Sequence, residues 1–120
     1  MRKSISGWIA FSLSIAAFIA AAMVTQQVFQ GLPHLEDEYA YIWQAETAAR
    51  GDLAVSTPVC PKCFLVPFVV DHDGLRFGKY PPGWPAALSI GILLDLRDWV
   101  NPFLAALCVW LTYRMVKRIL

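Results

Sequence analysis

Gly7-Trp8-Ile9-Ala10-Phe11-Ser12-Leu13-Ser14-Ile15, continuing through Ala20-Ala21-Ala22-Met23-Val24 to Phe29, is the stretch that decides the fold class. No Asp, Glu, Lys or Arg occurs between Lys3 and Glu36. The apolar core from Gly7 to Phe29 has roughly the 20 residues that a bilayer-spanning helix needs. Ser12 and Ser14 can return their hydroxyls to the preceding turn, so they cost little in lipid. Trp8, near the basic end, suits the headgroup level. A cleaved signal peptide is the competing reading, with Arg2 and Lys3 as its basic start and Ala20-Ala21-Ala22 as small residues for cleavage. Its hydrophobic run is usually about 7–15 residues, shorter than this one, so an anchor is expected over residues 5–29.

Composition points the same way. Of 120 residues, 58% are hydrophobic and 16% charged, with mean hydropathy +0.50. Soluble domains run at about 45–50% and about 25%. Ten basic and nine acidic residues leave a formal charge of +1, which provides no basic field for nucleic acid and no acidic tail. Five Trp, seven Phe and four Tyr argue against disorder.

A second apolar stretch, residues 99–117, contains Phe103-Leu104-Ala105-Ala106-Leu107-Cys108-Val109-Trp110 and closes on Arg114, Lys117 and Arg118. Trp84 to Leu94 is also apolar, but a helix of that length reaches only about 16 Å against about 30 Å of hydrocarbon. Extending it would bury Asp95, Arg97 and Asp98. Two spans put both basic ends on the cytoplasmic side, whereas three would send Arg114, Lys117 and Arg118 outside. The expected architecture is therefore an all-α integral membrane segment in the plasma (inner) membrane. Both termini are cytoplasmic, and residues 30–98 form an extracytoplasmic loop.

Within that loop, Gly31-Leu32-Pro33 stops the first helix. Residues 37–50 read as a surface helix, with Asp37 as N-cap and Gly51 just past its end. Tyr39, Ile42, Trp43 and Ala49 share its apolar face. Pro58, Pro61 and Pro67 forbid a long helix there. Residues 68–77 read as a short hairpin turning at Asp73-Gly74. Pro85 sits in the first turn of a second surface helix, residues 84–94.

Cys60-Pro61-Lys62-Cys63 reads as a local disulfide in an oxidising compartment. It also admits thiol–disulfide exchange, because Lys62 would lower a thiol pKa. One such pair supplies two metal ligands where a closed zinc site needs four, so no metal site is assigned. Cys108 reads as a packing residue.

Asp37-Glu38 opening an aromatic-rich helix after the first span, followed by Lys79-Tyr80-Pro81-Pro82-Gly83-Trp84-Pro85 ahead of the next, resembles polytopic glycosyltransferases of the GT-C class. Nearest in pattern are protein O-mannosyltransferases and lipid A aminoarabinose transferases. The resemblance spans about residue 5 to 120. It implies a polyprenyl-phosphate sugar as donor substrate, no bound cofactor, and a membrane lipid environment. Asp37 would be the base, Glu38 its support, and Lys79 the donor-phosphate ligand. Two features depart from the aminoarabinose pattern. Tyr80 separates Lys79 from the Pro pair, and Tyr39, Ala40 and Tyr41 stand where an Arg follows the acidic pair. Family members continue with many more helices, so the 120 residues would be an N-terminal portion, inactive without the remainder or a partner subunit.

Each residue also has a plainer reading. Asp37 and Glu38 suit any helix start. Lys79 suits a snorkelling interfacial side chain. His72 and His34 are additional phosphate or acceptor candidates, or solvated loop histidines. Outside this class, the chain could be a small membrane thiol–disulfide protein using Cys60 and Cys63, or a non-catalytic membrane subunit.

Overall fold

The computed structural model describes residues 2–119, in the order α1 (Arg2–Met23), α2 (Glu36–Ala49), β1 (Val55–Ser56), β2 (Val69–His72), β3 (Leu75–Gly78), α3 (Gly83–Leu93) and α4 (Val100–Ile119). Helix dominates, but three strands form a sheet of order β1-β3-β2, so the all-α expectation is corrected to mainly helical with a small sheet. The chain separates into two compact units. One runs up to Gly31 and resumes at Asp98; the other is Leu32–Arg97.

In the first unit, α1 continues into a wider π-helical turn, Val24–Val28. Gln30 and Gly31, both at positive φ, then end it. Ile5–Val28 is long and apolar enough to cross a membrane, and among the described residues no other helix meets that test. At 1.5 Å per residue its 24 residues reach about 36 Å, beyond the roughly 30 Å of hydrocarbon. α4 has 20 residues but ends on Lys117 and Arg118.

The two helices run antiparallel. The Ser6 hydroxyl lies 3.3 Å from the Tyr113 hydroxyl, and Phe18 stacks on Trp99 at 5.9 Å. Among the described residues of α1, Ala10 and Ser14 are buried, one turn apart, and Gly7 on the same stripe faces Tyr113. Small residues at this spacing let two backbones approach. Ser14 donates to the Ala10 carbonyl at 2.9 Å, so its buried hydroxyl is satisfied. Large apolar side chains of α1 point outward: Trp8 is 67% exposed, Ile9 56% and Leu13 56%.

The second unit is built on α2 packed against α3 and β3. α2 starts at Glu36 with Leu35 as N-cap residue, so Asp37 lies inside the first turn instead of capping it. Its closure comes from Glu38, whose carboxylate accepts the backbone N–H groups of His34 (2.6 Å) and Leu35 (3.3 Å). Ala40, Ala45 and Thr47 form the buried face, and Tyr39, on the aromatic side read from sequence, is half exposed. Small residues win because α3 approaches closely with Pro85, Leu88, Ser89 and Gly91 buried against α2. Burying Leu88 contributes about 2 kcal/mol. Gly51, at φ 92°, follows α2 as read from sequence.

The β2–β3 hairpin pairs Val69 with Gly78 and His72 with Leu75. Asp73 and Gly74 both take positive φ, 48° and 77°, as a two-residue type I′ turn demands. β1 adds Val55 opposite Arg76, a strand too short to leave a period in the sequence.

Candidate functional site

Asp37 and Lys79 are 42 positions apart in sequence, and the second unit packs Tyr80, next to Lys79, against Tyr41, one helical turn after Asp37. α2 presents Asp37, Tyr41 and Gln44 at helical spacing, and the chain leaving β3 brings Lys79 and Tyr80 to that side. Tyr80 packs against Tyr41 at 4.7 Å and against Phe68 at 5.7 Å between ring centroids. The Gln44 amide donates to the Tyr80 carbonyl at 3.0 Å. Gly78 makes this approach possible, because a Cβ there would overlap the Gln44 side chain.

Lys79 Nζ lies over the Phe68 ring, 4.2 Å from its centroid, and 5.4 Å from that of Tyr80. Two aromatic faces therefore hold the ammonium by its charge while leaving it exposed. Burial pushes the Tyr80 phenol above its ordinary pKa, and the Asp37 carboxylate and the Tyr41 phenol push it the same way. The Asp37 charge is thus felt at the ring that Lys79 flanks. A carboxylate can accept a proton and an ammonium can neutralise an anion.

The other sequence candidates are not part of this gathering. Glu38 is turned back onto the start of α2. His72, whose side chain is 72% exposed, pairs with Asp73 at 3.3 Å beside the hairpin turn. Lys79 N bonds Phe68 O at the hairpin's other end. Four strand residues, about 13 Å, separate the two levels. His34 Nδ1 bonds the Leu32 carbonyl at 2.8 Å.

Cys60 and Cys63 are joined by a disulfide, with Cα atoms 5.3 Å apart. Arg76, only 6% exposed, holds the disulfide turn. It donates to the Phe64 carbonyl (3.0 Å), the Pro61 carbonyl (3.2 Å) and, bidentately, the Asp71 carboxylate (2.8 and 2.7 Å). That guanidinium holds the Asp71 carboxyl below the usual carboxylate range. Among the described residues, no three of His, Cys, Asp and Glu gather to hold a metal ion.

Sequence reasoning did not single out Tyr41, Gln44, Phe68 or Arg76 as partners. Tyr80 was noted only as an intrusion between Lys79 and Pro81. Nothing in their local spacing marks them, since each acquires its partner across the chain.

No protein-family model, no curated protein and no solved structure matches this chain.

Proposed function

We propose that the chain is the N-terminal portion of a membrane glycosyltransferase that moves a sugar from a polyprenyl-phosphate donor to an extracytoplasmic acceptor. The observation that carries this reading is that Lys79 lies against Tyr80, whose ring packs on Tyr41, one helical turn after Asp37 on α2. Asp37 takes the proton of an acceptor hydroxyl as that oxygen bonds to the sugar's anomeric carbon. The bond from that carbon to the phosphate oxygen breaks, and the leaving phosphate takes the electron pair. Lys79, held by Phe68 and Tyr80, neutralises the charge that develops on it. Glu38 positions Asp37 by closing the first turn of α2.

In the topology that goes with this reading, α1 and α4 both cross the plasma membrane. Their antiparallel packing supports it, because a helix lying along a spanning helix shares its surroundings. Both basic ends are then cytoplasmic, and residues 30–98 are outside.

The test is transfer of labelled sugar from polyprenyl-phosphate sugar by membranes carrying the enzyme that contains this segment. Asp37→Asn is expected to lower the rate at least about a hundredfold, and Lys79→Met to weaken donor use. Cys60→Ser is expected to leave the chemistry in place. Full activity in Asp37→Asn, with activity lost in Cys60→Ser, would replace this reading with thiol–disulfide exchange.

A further inference from the structure

Trp110, Tyr113, Arg114, Lys117 and Arg118 stand at i, i+3, i+4, i+7 and i+8 along α4, so they share one side of the helix. Together with Gly7 of α1 they line a cleft of about 450 Å³. Small-molecule sites run from roughly 300 to 1,000 Å³.

Contacts between the two helices set its walls. The Tyr113 hydroxyl lies 3.3 Å from Ser6 Oγ, and a Cβ on Gly7 would come within 3.6 Å of that hydroxyl. A glycine there leaves open the space that a larger side chain would fill. Lys117 Nζ donates to the same hydroxyl at 3.3 Å and lies 5.5 Å from the ring centroid. The ammonium is therefore folded back along the ring, at the cleft. Trp110 packs on Tyr113 at 5.7 Å between centroids.

Charge says what the cleft takes. Neither α1 nor α4 contains Asp or Glu. Asp98 precedes Arg114 by 16 positions, about 24 Å along a helix. Among the described residues, no carboxylate pairs with Arg114, Lys117 or Arg118. Like charges three and four positions apart repel, and an anion seated among them relieves that repulsion. The bias that collects Lys and Arg beside a span counts charges. It does not require that they line one cleft with a phenol and an indole. Two guanidinium forks match the paired oxygens of a phosphate, and the ammonium adds a point charge. A carboxylate would bring one negative charge to three positive ones; a phosphate dianion brings two.

We propose that the cleft between α1 and α4 binds a phosphate dianion, free or as the headgroup of a lipid, through Arg114, Lys117 and Arg118. This rests neither on the glycosyl-transfer reading nor on the topology that goes with it.

The full chain in dodecyl maltoside micelles, which carry no phosphate, tests it. Equilibrium dialysis against radiolabelled inorganic phosphate reads a soluble ligand. Native mass spectrometry with phosphatidic acid, and with phosphatidylcholine for comparison, reads a lipid one. One equivalent is expected to bind, with phosphatidic acid retained at least about tenfold over phosphatidylcholine if the source is lipid. Retention of phosphatidic acid without uptake of inorganic phosphate assigns the headgroup, and the reverse assigns a soluble ligand. Binding of neither overturns the site. Arg114→Gln with Arg118→Gln, both exposed, is expected to lower the observed binding at least about tenfold. Arg50→Gln with Lys62→Gln makes the same change in net charge within Leu32–Arg97 and is expected to leave it unchanged. No loss in the first pair, or equal loss in both, overturns the site. Gly7→Leu fills the cleft, keeps every cation and is expected to lower binding as much as the first pair does. Unchanged binding in Gly7→Leu would put the anion on the open surface and overturn the cleft.

Discussion

The helical hairpin and the segment Leu32–Arg97 bury different kinds of residue within one chain. The hairpin keeps its large apolar residues outside and places small ones, Gly7, Ala10 and Ser14, at the helix–helix contact. Leu32–Arg97 buries a guanidinium, closes a disulfide and sets α2 on α3 through Ala40, Ala45 and Thr47. Both use small residues where helices meet, and the second adds the Arg76 network to them. Two helices that meet through small residues need shape and satisfied hydroxyls. A unit as small as Leu32–Arg97 needs staples as well, because its core is thin.

Arg76 is where that contrast is easiest to break. Arg76→Met removes the donors to Phe64, Pro61 and Asp71, and is expected to destabilise Leu32–Arg97 by about 3–5 kcal/mol. Amide exchange in nanodiscs should show protection lost over β2 and β3 and kept in α1. Equal loss in both units would mean that they do not fold independently.

Opening the disulfide comes next. Cys60→Ser with Cys63→Ser closes no loop, and the four-residue ring implies a loss of about 2 kcal/mol. The same exchange experiment should confine it to Leu32–Arg97. A comparable effect is expected on the other side from Ala10→Leu, which overpacks the α1–α4 contact and costs about 1–3 kcal/mol. It should shorten the protection of α4 without touching the β2–β3 hairpin.

The smallest effect is that of acid. The Asp71 pKa is lowered in the fold, so its contribution is fully present above the ordinary carboxylate value of about 4 and is lost as pH falls through the folded value. Protection around the hairpin should therefore decline below about pH 4, with Asp71→Asn removing the dependence. The α1–α4 pair should show no matching decline. A parallel decline there would blur the distinction between the units.

Features with a local cause were legible in the sequence. Asp73-Gly74 dictated its turn because its residues tolerate positive φ. The second surface helix, read as 84–94, runs Gly83–Leu93, since its apolar length and Pro85 are visible in the chain itself. The beginning of α2 was misjudged by one residue, because Glu38 reaches back to amides and no residue at the cap position does the work. That alanines form the buried face of α2 was not legible, because the closeness of α3 selected them. β1 and the burial of Arg76 left no trace in the sequence, since each depends on a partner strand or carbonyl supplied from elsewhere.

The sequence alone determined that the chain carries a helix fit for a bilayer, that the stretch after it turns at Gly and Pro, and that Asp37, Lys79 and the Cys pair are its chemical outliers. Those are properties of composition and of neighbours within a few residues. The tertiary structure alone decided that Tyr80 packs on Tyr41, that Gly78 lets Gln44 hold it there, and that Arg76 shapes the disulfide turn. The physical reason is range: rings, carboxylates and guanidinium donors act over a few ångströms of space, and only packing brings residues tens of positions apart within it.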